Sequence, residues 1–553
     1  MHTHALRTAA GVTLLALLAS AVSTATAIAA SPIPTFDKEA VTTRPYQRTG
    51  QQEVITGKDK ETYRPGNTGT EEAPAFYVEK IEIAGTKLKS DWDEDLASIL
   101  KAYSGRSVEP AELDTLMDEI TACYKKAGYT IPQAVILPQE VKDGLLRVTV
   151  YTARYDAVNI TNTSDVYDTA FTRYTRKLKE GDIITDRQLE NAMNLLNDLP
   201  AVTARAVMRP GVHPGTTIVD IEGERRPVWN NYIFTDNGGG YYSGRWRFGF
   251  QSEINNPGHM GDKITVNGMI TEEKVKNYAV RYETPLGPNG TRVGVAYSRS
   301  NYDLRTNDMY DSLGESKGYS LYGMTPLYRD KTDRITAIYG YDRRNITDRL
   351  HFRNINGLPE IRTEKRADVW HAGISGSQYN VNQFLQYSLI YWYGDMETEG
   401  GAYYDGGYHK LTGDLLDIIY DGKWNYRWQF SGQLANRALD GSEQFYLGGM
   451  NGVRAYGASD GYGDYGFLST FEIRRQTSVE GLEFALFLDH GVAGDKAAGT
   501  LDHLTGWGAG LRYGKPNDWY AQLDVAKKIN ARRDRTEPDD HDGRVWFQLY
   551  KMF

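Results

Sequence analysis

The chain has 553 residues, room for several domains, and a formal net charge of −9. That charge offers nucleic acid no chain-wide basic footprint. A single cysteine, Cys123, excludes an intrachain disulfide and any cysteine-built metal site. At the N-terminus, His2, His4 and Arg7 make a short basic start before the apolar run GVTLLALLASAV (residues 11–22). The small residues of ATAIAA (residues 25–30) then suit cleavage near Ala29 or Ala30. Residues 1–30 therefore read as a removed export signal. No later stretch reaches the roughly 18 apolar residues of a membrane-spanning helix. A long exported chain without disulfides fits a bacterial envelope. Residues 31–75 are rich in Pro, Gly, Thr and charge, and read as a polar linker.

From residue 76 the texture changes. YVEKIEIAG alternates as a strand does. DWDEDLASILKAYSG predicts a helix with Asp91 as N-cap and Gly105 just past its end. EPAELDTLMDEITACYKKAGY predicts a second helix, whose Leu113, Leu116, Met117, Ile120, Tyr124 and Ala127 form one apolar stripe. Cys123 lies beside that stripe, as a buried structural thiol does. QAVILP and LLRVTV are two strands, with QEVKDG as the turn between them. The order β-α-α-β-β then repeats. RYDAVNITN is a strand, TAFTRYTRKLKEGD and TDRQLENAMNLLNDLP are helices, and TARAVMRPG and TTIVDIEGE are strands. Gly105 and Gly181 occupy matching points, 76 residues apart. Two copies of a small α+β module account for residues 76–152 and 153–227. These modules resemble tandem POTRA domains, the polypeptide-binding modules of bacterial envelope transporters. The first resembles the ShlB/FhaC type.

Residues 228–553 have a different rhythm. Sixteen segments of about ten residues alternate apolar with polar or small residues, from WNNYIFTD to VWFQLYKMF. About ten residues suit a tilted strand crossing a bilayer, and an even number suits closure into a barrel. Closure leaves no strand edge unpaired in hydrocarbon. The expected fold is a sixteen-stranded antiparallel transmembrane β-barrel preceded by two α+β POTRA domains. On the thirteenth segment Leu482, Phe484, Leu486 and Leu488 face lipid, while Glu483, Ala485, Phe487 and Asp489 face the lumen. The abundant Tyr and Trp suit interfacial girdles. The terminal Phe553 resembles the insertion signal of outer-membrane barrels.

Between segments 11 and 12 lies GGMNGVRAYG (residues 448–457), and on segment 13 lies FLDHG (residues 487–491). Together with the POTRA-like repeats, these resemble the loop-six and strand-thirteen motifs of two-partner secretion transporters. That is the ShlB/FhaC/HecB haemolysin secretion/activation type. The resemblance implies that the loop, at about residues 446–465, folds back inside the barrel. It implies a loop motif of Gly452, Val453, Arg454, Ala455 and Tyr456, and a wall motif of Phe487, Asp489 and Gly491. Arg454 would pair with Asp489, and Arg suits this because its planar fork grips a carboxylate at two points. Ala455 stands where the family usually has glycine. Glu472, Arg474 and Glu483 are further candidate lumen-facing charges.

Catalytic motifs do not appear: there is no H-E-x-x-H, no G-x-S-x-G and no P-loop. GYGDYG (residues 461–466) matches a dinucleotide fingerprint, but no buried strand precedes it and no helix follows. No enzymatic activity, cofactor or metal is expected. The resemblance implies an outer-membrane pore with periplasmic POTRA domains that exports one large unfolded partner without nucleotide. The partner would carry an N-terminal secretion domain. Further partners would be outer-membrane lipid and, during biogenesis, the barrel-assembly machinery, with no nucleic acid. Two alternatives compete. A barrel-assembly insertase is disfavoured by having two POTRA-like modules rather than about five. A passive porin needs no polypeptide receptor. Residues 31–75 contain no convincing amphipathic helix, which leaves open whether they plug the pore.

Overall fold

The computed structural model describes residues 55–56 and 75–553, apart from residues 214, 274, 306–309, 331, 353–359, 516 and 530–540. The export signal and most of the linker lie outside the described residues. The chain forms two compact units, Thr49–Arg226 and Pro227–Phe553.

In the first unit, one module contains β1 (Phe76–Val78), β2 (Lys80–Gly85), α1 (Asp93–Tyr103) and β3 (Arg106–Val108). It continues through α2 (Pro110–Lys126), β4 (Gln133–Val135) and β5 (Leu145–Tyr151). The second contains β6 (Arg154–Asn162), α3 (Asp168–Thr175), α4 (Asp186–Asn197), β7 (Val202–Pro210) and β8 (Thr216–Arg225). Both sheets have one topology. The first long strand pairs parallel with the last, β2 with β5 and β6 with β8. The last then pairs antiparallel with β4 or β7. Gly105 and Gly181 both have positive φ, and each donates its N–H to the opening strand, to Val78 O and Tyr155 O. This equivalence explains their regular spacing. The modules are joined where Thr130 N–H donates to Ile184 O at 3.1 Å and Asp186 N–H to Gly128 O at 3.0 Å. Backbone pairing also sets Ile55–Thr56 parallel to β7.

Three local expectations change. Asp91 does not cap α1; it lies in a 3-10 turn over Ser90–Trp92, and Trp92 is the N-cap. YVEKIEIAG breaks at Glu79, where Glu79 N–H and Lys80 N–H both turn to Gly144 O. The pieces join different sheets, β1 with β3 and β2 with β5. The third helix stops at Thr175 rather than running to residue 182. There Leu178 drops into the core, where it is 7% exposed.

The second unit is one closed barrel of sixteen antiparallel strands. It opens with β9 (Trp229–Asp236), β10 (Arg247–Asn255), β11 (Lys263–Thr271) and β12 (Lys276–Leu286). Six longer or intermediate strands follow. They are β13 (Thr291–Arg305), β14 (Tyr310–Arg329), β15 (Asp333–Phe352), β16 (Ile361–Tyr379), β17 (Gln383–Thr398) and β18 (Gly406–Asp421). The barrel ends with β19 (Trp424–Ala435), β20 (Tyr465–Gln476), β21 (Leu482–Asp495), β22 (Thr500–Gly514), β23 (Trp519–Lys528) and β24 (Gly543–Met552). All sixteen segments are strands, but β14 and β15 each run to 20 residues, twice the expected length. Closure joins β9 to β24 over a short ladder, from Tyr232 opposite Met552 to Asp236 opposite Gln548. The two faces separate cleanly on β21. Phe484, Leu486 and Leu488 are 43–48% exposed, whereas Ala485, Phe487 and Asp489 are at most 5% exposed.

Candidate functional site

The chain between β19 and β20 turns back into the barrel. Its tip is tied to itself by Leu447 N–H to Gly461 O, Gly448 N–H to Asp460 O and Val453 N–H to Leu447 O. Gly452 is required at the bend, because a Cβ there would lie 2.1 Å from Leu447 O. Val453, Arg454, Ala455 and Tyr456 are all buried. Val453, Ala455 and Tyr456 pack with Leu447, Phe487 and Leu504 into an apolar cluster. The wall is cut to receive them. Gly491 leaves space for Leu447 and Val453, and Gly506 for the methyl of Ala455. Ala455 is not among the residues with positive φ, so the methyl carries no left-handed strain.

Arg454 sits in the middle of this cluster. Its Nε donates to Asp489 Oδ2 at 3.0 Å and its Nη2 to Asp489 Oδ1 at 2.9 Å. The Arg454 backbone N–H also donates to Asp489 Oδ2, at 3.1 Å. Nη1 reaches Glu472 Oε2 at 2.9 Å and Asp524 Oδ2 at 3.2 Å. The guanidinium carbon lies 3.3 Å from the centre of the Phe487 ring, a cation–π contact. The Arg454 carbonyl accepts from Trp546 Nε1 at 2.6 Å. One residue thus touches β20, β21, β23 and β24. Desolvating so many charges is costly, and only nearly complete pairing offsets it. Arg512 helps by bridging Glu472 at 3.2 Å and Asp524 at 2.5 Å. Arg474 donates to Glu472 Oε1 at 2.5 Å. Glu483 stands outside this set: it accepts from Asn425 at 3.1 Å and lies 3.7 Å from Arg474.

Beside the cluster lies a cavity of about 90 Å³, lined by Arg427, Gln429, Asn451, Glu472, Arg474 and Arg512 among others. Among the described residues Arg427 makes no direct ion pair, although Glu472 lies opposite it on β20. Phe553 is remote from the site. Its N–H donates to Asn231 O at 2.9 Å, extending the closing ladder, and its side chain is 67% exposed.

Sequence reasoning missed Asp524, Arg512, Trp546 and Gly506. Asp524 was recoverable. It sits between Leu523 and Val525, which are 40% and 55% exposed on the outer face, so its inward position follows from alternation. Among the described residues no group of His, Cys, Asp and Glu could hold a metal ion.

Comparison with known proteins agrees with this fold. The haemolysin secretion/activation protein family ShlB/FhaC/HecB matches residues 215–513. A POTRA domain of ShlB type matches residues 76–152. Heme/hemopexin transporter protein HuxB of Haemophilus influenzae (strain 86-028NP) is 23% identical over 507 residues, covering 86% of this chain and 87% of the relative. Outer membrane transporter CdiB of Dickeya dadantii (strain 3937) is 22% identical over 402 residues, 70% of each chain. Among solved structures, CdiB from Escherichia coli superposes with a TM-score of 0.70 at 18% identity, over 89% of this chain and 93% of that one. BamA from Haemophilus ducreyi lacking POTRA domains 1-3 superposes with a TM-score of 0.51 at 14% identity, over 86% and 100%. At these identities the structural likeness is one of fold.

Proposed function

Because this chain belongs to the haemolysin secretion/activation protein family ShlB/FhaC/HecB, we propose that it is the outer-membrane pore through which a large partner polypeptide leaves the cell. The observation that carries this reading is the combination on one chain: a ShlB-type POTRA domain ahead of a closed sixteen-stranded barrel with a lumen-folded loop. A porin has no use for the first, and the family match favours export over barrel insertion. The barrel lies in the outer membrane and the POTRA unit in the periplasm. The partner carries an N-terminal secretion domain. It arrives unfolded and adds as a strand to a POTRA sheet, where main-chain hydrogen bonds give affinity with little demand on sequence. The outer side of β6 beyond Tyr155 suits this role: Tyr155 is bonded there to Gly181 and Asp182, and among the described residues the rest of β6 has β8 as its one strand partner. The partner then threads the lumen, and folding outside makes passage one-way. No nucleotide is needed.

Deleting residues 76–152 tests the reading. The deleted chain should still insert as a heat-modifiable barrel, while its exported partner disappears from the medium. Unchanged export would reduce these modules to spacers.

A further inference from the structure

Before the tip of the loop comes a stem, residues 436–445, that no motif singles out. It holds a short 3-10 turn, Gly441–Glu443, N-capped by Asp440, whose side chain accepts from Ser442 N–H. Both acids of this turn are buried, Asp440 at 4% exposure and Glu443 at 3%. In an ordinary surface loop they would be solvated. Here each meets cations from the barrel wall. Asp440 pairs with Lys365 Nζ at 2.9 Å, and Lys365 also pairs with Asp348 at 3.0 Å. Glu443 pairs with Lys410 Nζ at 2.7 Å and, through its other oxygen, with Arg344. Three cations face three carboxylates, so the cluster is balanced: removing Glu443 takes the carboxylate from both Lys410 and Arg344, and removing Asp440 leaves Lys365 with Asp348 alone.

The wall residues lie on β15, β16 and β18. The carboxylates around Arg454 lie on β20, β21 and β23. The two clusters share no residue and no strand. They sit on different arcs of the barrel, and the loop runs from one to the other. We infer that the loop is fastened at two independent points, and that Asp440 and Glu443 are positioning residues that hold its stem across the lumen. Release of the tip and release of the stem are then separate events. A passing polypeptide can displace the stem while Arg454 stays in place. The role in passage rests on the export function proposed above; the fastening does not.

The experiment uses the full chain in lipid nanodiscs, in a Cys123→Ser background. A nitroxide is attached at Ser442→Cys for the stem or at Ala458→Cys for the tip, and mobility is read by electron paramagnetic resonance. Asp440→Asn with Glu443→Gln should mobilise the label at 442 and leave that at 458 immobile. Arg454→Ala should do the opposite. Secretion should fall severalfold in each. If the 442 label stays immobile in the first variant, or if both labels always loosen together, the two-point fastening is wrong. Should Asp440→Asn with Glu443→Gln fail to give a heat-modifiable barrel, the swap Glu443→Lys with Lys410→Glu decides. Immobilisation at 442 beyond that of Lys410→Glu alone supports the pairing, and equal mobility overturns it. Spectra that change as expected with secretion unaltered would keep the fastening and remove its role in export.

Discussion

Arg454 grips Asp489 at three points, through Nε, Nη2 and its own backbone N–H. The side-chain pair is bidentate and the third bond fixes the main chain of the loop to the wall. Truncating Arg454 strands the Asp489 carboxylate, at a cost of about 3–5 kcal/mol, whereas truncating Asp489 leaves Arg454 held by Glu472 and Asp524 and costs less. Arg454→Ala and Asp489→Ala should each sharply lower the loop's contribution to thermal stability and to secretion. The barrel itself should still close by strand pairing. The double mutant should be little worse than Arg454→Ala alone, because the contact with Asp489 is already lost there. A double-mutant cycle on melting temperature and secretion checks this, and additive losses would contradict the contact.

A Cβ at Gly506 would lie 2.6 Å from that of Ala455. Gly506→Ala should therefore push the tip off the wall, an overpacking of about 1–3 kcal/mol. Moving the methyl across the contact, with Ala455→Gly added to Gly506→Ala, should restore most of the melting temperature and secretion. Absence of any rescue would mean that the two residues do not share this space.

Arg427 lines the cavity and makes no direct ion pair among the described residues, with Glu472 opposite it on β20. A fixed charge at a constriction sets which ions pass most readily. Arg427→Glu should raise the potassium-to-chloride permeability ratio of the resting channel, read as a shift in reversal potential across planar bilayers under a salt gradient. An unchanged ratio would place the ion path elsewhere.

Cys123 is 4% exposed, and burial raises its thiol pKa. The reactive form is the thiolate. Maleimide at pH 7 should label the native chain slowly and the urea-unfolded chain completely. Rapid native labelling, followed by mass spectrometry, would show that the POTRA core around α2 opens readily.

Much of this was legible because each side of a barrel strand meets a different solvent. On β21 the leucines face out and Asp489 faces in, and a period of two records it. Gly452, Arg454 and Asp489 were legible as motif. Strand ends were not. The inner face of the upper part of β14 carries Ser312, Gly314, Ser316 and Gly318, which offer no apolar alternation to read. Glu472 read as a lone lumenal acid and Asp524 was missed, since only closure brings β20 and β23 around one guanidinium. Asp440 and Glu443 read as ordinary loop charge, because their cations lie on strands far away in sequence. Asp91 failed for a local reason: a 3-10 turn formed before the helix and moved its start to Asp93.

The uneven strand lengths have a mechanical consequence. β14 and β15 have 20 residues each, while β9, β10 and β11 have 8 or 9. About ten tilted residues cross the membrane, so the surplus raises one arc of the wall by roughly 25 Å above the outer surface. The mouth is cut obliquely, as a spout rather than a round hole. A polypeptide leaving it is sheltered along the high arc and spills over the low one.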